Sequence, residues 1–377
     1  MKIRVRNRTH SVRKGMMVTI VVLLMGISAN TIAVKFWSDS HDQYMASKVV
    51  ADGFRAQQMA VAGFHAGLSA LKVVPEEFLF ETGIALEPPD IILSKECKPH
   101  CMISYRLQPE DGKLNVNNLI ISQTDEPNDR YRKIFERFFR NYNFQEPEKD
   151  VDSIIDWLDE NTRPEVGGAE GDYYSDLSPP VKIKNFQLFS LSEICQIKGL
   201  DYNKIYSSQM PPDWKEIQEE LKFQTEEEKA LIQEADWIPA NNLSAYIPVT
   251  TSYDQKININ AARYHVLMSL SDSMSKEAVL ALFKLRTKSG NYIKNIQDLN
   301  SLPEFQVKFG ELTLYEELVG SGGALSGIIK TSGEIYRVVG VGSILPFAEN
   351  ERVKPVIRSV TGLYDLKAKK LIYYSED

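Results

Sequence analysis

The sequence predicts an α+β protein: one long N-terminal helix laid on a small antiparallel sheet, with a large, mostly helical segment inserted into that sheet. Three observations lead there. From Met16 onward, apolar residues run without a strong breaker to Pro75. Stretches of strand composition occur both before residue 117 and after residue 330. Between them, residues 123–308 are mostly helical in texture. A sheet split by a helical insertion explains this order with short connections. Two domains in series would leave the strands near 102–116 with no sheet to join.

The N-terminus comes first. Six cations and no acid precede Gly15: Lys2, Arg4, Arg6, Arg8, Arg13 and Lys14. The nineteen residues from Met16 to Val34 carry no charge. At about 1.5 Å per residue they can cross a roughly 30 Å hydrocarbon core. The cations hold their end on the cytoplasmic side, so the chain beyond Val34 is expected outside. Three readings fit this segment. A cleaved secretory signal has a shorter apolar core followed by a small-residue site, whereas Ser28 and Ala29 lie within the apolar run. A plain signal anchor would keep residues 1–15. The third reading cuts after Gly15 and keeps the apolar helix. It resembles the leader of type IV pilins and pseudopilins, in which a membrane peptidase cuts after the Gly and methylates the new amine.

The helical signal continues past the span. Val50, Phe54, Val61, Phe64, Leu68 and Leu71 recur at spacings of three, four and seven, with Gln57 the one polar residue on the stripe. Pro75 ends the run. A single helix from Met16 to Val74 has 59 residues and reaches about 88 Å.

Strands are expected at Ile91–Leu93 and Met102–Leu107, with Leu114–Val116 following the Asp111-Gly112 turn. Helices are expected over 128–142 and over 151–160, the second capped by Asp152. A Gly- and acid-rich loop occupies 167–177. Further helical segments fall at Ser190–Ile197, 213–235, 257–271, 276–286 and 296–302. Strand composition returns at Glu334–Gly342, Pro355–Tyr364 and Lys370–Tyr374, where Val, Ile and Tyr dominate.

The chain of 377 residues carries a formal charge of −7; removing the six leader cations leaves −13 for the rest. An acidic body of this kind argues against a nucleic-acid partner, which needs a basic surface to displace counterions. Two small-helix units, LSEICQIKGL at 191–200 and the segment from ININAARYHVLMSLS onward, look like a helix-hairpin-helix pair. DNA-binding hairpins offer backbone N–H groups from a Gly-rich turn. Here Leu270-Ser271-Asp272-Ser273 has no Gly and adds an acid, so packing units are the simpler reading. The cysteines are Cys97, Cys101 and Cys195. Outside the membrane, a local disulfide between Cys97 and Cys101 stands as an option.

Acids concentrate at 152–176. Asp152, Asp156, Asp159 and Glu160 cluster on one side of a helix, and Glu165, Glu170, Asp172 and Asp176 follow in a loop with Gly167, Gly168 and Gly171. Two readings stand. One is a solvated acidic loop. The other is a calcium site, since calcium takes six to eight oxygens and glycines let carbonyls turn inward. A carboxylate-pair hydrolase using Asp156 and Glu170 is a weaker third. Elsewhere the sequence offers no G-x-S-x-G elbow, HExxH helix or phosphate loop, so no catalytic residue is assigned.

Several segments together resemble the minor pseudopilin K of type II secretion (general secretion pathway protein K family). They are RKG-MM at the leader, DGKLNVNNL at 111–119, DSIIDWLDEN with GGAEGDYY within 152–174, FSLSEICQIKG at 189–199 and ININAA at 257–262. Order and spacing match over almost the whole chain. Ordinary pilins carry a Glu at the fifth mature residue; counting from Met16, this chain has Ile20, a departure shared by the K family. The resemblance implies a pilin-like fold with an inserted helical domain that contains SAM or helix-hairpin-helix-like units. It divides the chain into a leader (1–15), a transmembrane helix (16–36), the first part of a pilin-like domain (37–122), the insertion (123–308) and the second part (309–377). It implies cleavage at Gly15 and methylation of Met16 by the prepilin peptidase. The expected location is the inner membrane, as a single-pass protein with a large periplasmic domain. The expected role is non-enzymatic, at the tip of a periplasmic pseudopilus with minor pseudopilins I and J. It further implies calcium in the insertion, for which Asp159, Glu165, Glu170, Asp172 and Asp176 are the candidate ligands. The alternatives are a signal-anchored periplasmic hydrolase or binding protein, and a type IV pilus or DNA-uptake minor pilin.

Overall fold

The computed structural model describes residues 8–75, 85–86, 101–142, 144–206, 256–288, 292–323, 325–345 and 355–376. The expected strand at Ile91–Leu93, Cys97 and the expected helix at 213–235 lie outside the described residues. Helix α1 (Arg8–Val73) is continuous for 66 residues, about 100 Å. It begins before Gly15, several residues earlier than expected. Among the described residues it is the one helix long and apolar enough to cross a membrane, and Met16–Val34 are exposed throughout. The polar side chains in that stretch are partly satisfied by the helix itself. The hydroxyls of Thr19, Ser28 and Thr31 donate to the carbonyls of Gly15, Leu24 and Ile27 at 3.0, 2.8 and 2.8 Å, which lowers the cost of placing them in hydrocarbon.

The C-terminal half of α1 lies on a five-stranded antiparallel sheet of β1 (Ala85–Leu86), β2 (Cys101–Pro109), β3 (Ile335–Ile344), β4 (Val356–Asp365) and β5 (Lys370–Glu376), in that spatial order. The central neighbours β2 and β3 pair from Cys101↔Ile344 to Pro109↔Tyr336. The residues joining them at the sheet's end, Asp111 and Ile335, are 224 apart in the chain. The helical body is thus an insertion between two paired strands, as the order of elements suggested.

Ala60, Phe64 and Leu71 of α1 bury against Tyr105, Leu107, Tyr336, Val338, Val360 and Tyr364. The closest approach is made by small residues. A Cβ on Gly340 would overlap the Ala60 carbonyl and the Phe64 amide, and one on Gly342 would overlap the Ala56 carbonyl. From the helix side, a Cβ on Gly63 would stand 2.6 Å from the Ser104 carbonyl oxygen. Helix backbone rests directly on strand backbone. The expected apolar stripe is corrected accordingly: Val50 and Phe54 are 73% and 66% exposed. Both are exposed, and the small residues Ala56, Ala60 and Gly63 make the contact instead.

The insertion has its own core. Helix α2 (Asp129–Asn141) buries Tyr131, Ile134, Phe135, Phe138 and Phe139 at helical spacing, with Asn128 capping the Tyr131 amide. It packs on α3 (Pro147–Leu158), which starts with Pro147 in its first turn. Asp152 lies inside α3 and is not its cap. Leu114–Val116 is not a strand. Its alternating pattern instead feeds a 3₁₀ turn, Val116–Leu119, capped by the Asn115 side chain on the Asn117 amide at 3.1 Å, with Leu114, Val116 and Leu119 buried in the insertion core. Part of the 167–177 loop forms α4 (Gly171–Ser175). Ser190–Ile197 contains a 3₁₀ helix closed by a Ser190/Glu193 capping box, followed by α5 (Tyr202–Tyr206). Residues Ile257–Asn258 form a short parallel ladder with Ile329–Lys330 ahead of α6 (Tyr264–Met268) and α7 (Lys276–Lys288). The hairpin at 270–273 is gripped from inside. Arg137 donates to the Ser269 and Leu270 carbonyls at 2.8 and 2.6 Å and pairs with Asp272 at 3.1 Å.

Sheet and insertion meet at Glu110–Lys113. Glu110 is 1% exposed, with Lys113 Nζ at 2.8 and 2.9 Å and Arg337 Nε at 2.7 Å. Burial pushes its carboxyl up, but the two cations outweigh burial and hold it at about 2. Burial draws the Lys113 ammonium below its usual value despite Glu110; burial also acts to lower Arg337, but Glu110 outweighs it and raises the guanidinium. Asp111 Oδ2 accepts from the amides of Glu334 and Ile335, and its Oδ1 stands 3.7 Å from Lys330 Nζ. The DGKLNVNNL and ININAA segments meet here: the Asn258 amide donates to the Asp111 carbonyl, and a Cβ on Gly112 would overlap Ala261.

Candidate cation site

The acidic segment closes on itself within the insertion. Helix α3 turns Asp156 and Asp159 inward, where both are buried, and the chain returns through Glu165–Glu170 to bring Glu170 alongside. Asp156 Oδ1 accepts the Glu165 amide at 2.9 Å. Its Oδ2 lies against Gly168, where any Cβ would overlap it; a glycine is required by this approach. Asp159 Oδ2 accepts from the Asn161 side chain at 2.7 Å.

Four buried carboxylate oxygens are left with no hydrogen-bond partner: Asp156 Oδ2, Asp159 Oδ1 and both oxygens of Glu170. Burial is the largest influence on all three acids, and their neighbours add to it. Asp156 is pushed up to about 6 by burial against the lowering effect of the Glu165 and Ala169 amides, with the charges of Glu165 and Asp152 adding to the rise. Asp159 is pushed up to about 7 by burial and then by Glu170 and Asp156. Glu170 also reaches about 7, by burial and then by Asp156. Buried carboxylates that raise one another in this way are held at a cost unless a proton or a cation intervenes.

The nearby cations are engaged elsewhere. Arg132 of α2 binds Asp152, stands 3.2 Å from Glu165 and 3.4 Å from Glu136. Lys198 Nζ donates to the carbonyls of Gly168 and Gly167 at 2.8 and 3.4 Å. Of the five residues expected as ligands, Asp159 and Glu170 lie in the cluster. Glu165 is turned to Arg132, while Asp172 and Asp176 are exposed on and after α4. Asp156, which the ligand set omitted, is buried among them. Its place on α3 three residues before Asp159, which caps that helix, was the available signal. Hard carboxylate oxygens suit calcium or a similar divalent ion. The orphaned oxygens and the cradle at Gly168 fit such an ion, although among the described residues no three acids already converge at metal-ligand distance.

Cys101 is disulfide-bonded and Cys195 is a free thiol. For the cleavage position, α1 is helical through Gly15 and Met16.

A long helix laid on a small antiparallel sheet, whose central strands are separated by a helical body, is a pilin-like fold with an insertion. Residues 112–208 match the family model for type II secretion system (T2SS), protein K. The fold agrees with a chain in the crystal structure of the GspK–GspI–GspJ complex from the enterotoxigenic Escherichia coli type 2 secretion system. The TM-score is 0.54 at 13% identity, covering 90% of this chain and 99% of that one. No curated protein matches by sequence.

Proposed function

We propose that this protein is a non-enzymatic minor pseudopilin that caps the tip of the type II secretion pseudopilus, helps initiate its assembly and binds minor pseudopilins I and J. The observation that carries the reading is the insertion between paired strands β2 and β3. Subunits stacking along a filament must let their globular parts pass one another at each step. A body this large on the side of a pilin-like sheet is tolerated only where nothing stacks above it. Ile20, in place of the pairing Glu, supports the same position. The fold likeness to a chain of a K–I–J complex supports the choice of partners.

The rest of the reading follows from α1. Its exposed apolar stretch, preceded by cations, suits a single-pass inner-membrane anchor with the remainder in the periplasm. Prepilin peptidase cuts after Gly15 and methylates Met16. The orphaned oxygens of Asp156, Asp159 and Glu170 support a calcium ion in the insertion, which these three residues would hold. Bound there, calcium supplies positive charge that offsets the carboxylates. The two small-helix units serve as packing elements, consistent with Arg137 holding the hairpin carbonyls.

Mixing the periplasmic portions of this chain and its two smaller partners tests the function. Light scattering should show a one-to-one-to-one complex, and the chain alone should not polymerise. Filaments of this chain alone, or a mixture of separate monomers at micromolar concentration, overturn the tip assignment. Mass spectrometry of the N-terminal peptide should give methylated Met16; a chain that keeps residues 1–15 returns the anchored hydrolase or binding protein.

A further inference from the structure

We propose that Lys198 is a positioning residue for the carboxylate cluster: it holds the Gly168–Ala169 peptide so that the loop's amides face Asp156 and Glu170 is delivered to the site. The proposal rests on the reading of the cluster as a divalent-cation site.

A trans peptide unit is planar, and its C=O and N–H point in opposite directions. The Gly168 carbonyl accepts from Lys198 Nζ at 2.8 Å. The amide on the other side of that same unit, Ala169 N–H, faces the Asp156 carboxylate and acts to lower its pKa, and Gly168 itself lies against Asp156 Oδ2. One rigid plane therefore links the ammonium to the acid, and fixing the carbonyl fixes the amide. Gly167 adds a second carbonyl to Lys198 at 3.4 Å, while its own amide donates to Asp152 at 3.0 Å.

Lys198 is itself anchored. Its backbone amide donates to Tyr174 Oη at 3.0 Å, and its ammonium lies 5.2 Å from the Tyr173 ring centroid. Tyr174 is fully buried and packs edge-on against Trp157, the residue after Asp156, at 5.0 Å between centroids. Loop, helix α3 and the Lys198 turn thus form one closed circuit around the acids. This ties the IKG turn to the GGAEGDYY loop, two sequence motifs whose connection spacing alone does not show.

The sign of the effect separates positioning from charge. Lys198 is a cation near a cation site, so by Coulomb's law alone its removal should tighten ion binding. Positioning gives the opposite sign. Groups behind the ligands typically change metal affinity by about 10- to 100-fold when removed.

The test uses the full chain in detergent, titrated with calcium by calorimetry and with terbium by luminescence sensitised through Trp157. Lys198→Met should weaken calcium binding by about 10-fold, and Lys198→Arg should recover most of it. Tyr174→Phe, which removes the acceptor of the Lys198 amide, should weaken binding in the same direction by less and keeps the test informative if Lys198→Met does not fold. Unchanged or tighter binding in folded Lys198→Met, or weaker binding that Lys198→Arg does not restore, overturns the positioning role alone. A wild-type chain that binds neither ion overturns the cation-site reading, and this inference with it.

Discussion

Two buried charged clusters in this molecule are built in opposite ways. At the joint between sheet and insertion, Glu110 is enclosed by Lys113 and Arg337, and Asp111 by two backbone amides with Lys330 nearby. In the insertion, Asp156, Asp159 and Glu170 are equally hidden from water but keep four oxygens without partners. The first cluster is electrically complete. The second is complete only with protons or a cation from outside. The contrast separates a joint whose charges are paired from a cluster whose charges are not, although both appear in the sequence as acids near glycines.

The largest effect should come from breaking the complete cluster. Replacing Lys113 and Arg337 together by Met leaves Glu110 buried and unpaired, at a cost of about 3–5 kcal/mol. Adding Glu110→Met should restore much of that loss, because it removes the stranded charge. Urea unfolding of the double and triple variants measures both. A triple variant no more stable than the double would mean that the joint is held by packing and not by its ion pairs.

Neutralising the incomplete cluster should act in the opposite direction and less strongly. Metal-free at pH 8, Asp159→Asn and Glu170→Gln should each raise the melting temperature, since each removes one of the mutually repelling charges. With saturating calcium, the same variants should fall below the wild type, because an ion that binds the native state stabilises it by mass action. Calorimetric melting with chelator and with calcium resolves the crossing. Magnesium should substitute poorly, because it resists losing its water shell.

A smaller effect is expected at Gly168. Gly168→Ala forces a Cβ into Asp156 Oδ2 and should weaken calcium binding with little change in the joint's response to urea. Equal calcium affinity in this variant would separate the glycine cradle from the site.

Much of this architecture was legible in the sequence, and the exceptions have physical causes. Strands β2 to β5 were located because Val, Ile and Tyr alternate there, and the split sheet followed from the strands at 102–107 needing partners. On α1, the large apolar residues Val50 and Phe54 do not mark the face that meets the sheet. The buried seam instead uses Ala56, Ala60, Gly63 and Gly340, whose small size lets the two backbones touch. Leu114–Val116 carries strand alternation, but Asn115 satisfies a local amide and diverts the chain into a turn. At the acidic segment, the sequence supplied the acids but not their division. Only the fold shows that Arg132 claims Glu165, that Asp172 and Asp176 face solvent, and that Asp156 is enclosed.

The most direct test of the contrast is melting temperature against pH, with and without calcium. Unfolded carboxylates titrate near 4. The folded values of Asp156, Asp159 and Glu170 are raised to about 6, 7 and 7. Between roughly pH 7 and 4 the native state therefore binds more protons than the unfolded state, and stability rises as pH falls. Glu110, held at about 2, contributes stability that is lost only as pH falls from about 4.5 toward 2. Without metal, the melting temperature should climb by about 3–6 °C from pH 8 to pH 5 and collapse further down. With calcium it should already be high at pH 8, and the climb should disappear. A metal-free curve that falls steadily on acidification from pH 8, together with no response to calcium at pH 8, would contradict the division into a complete and an incomplete cluster.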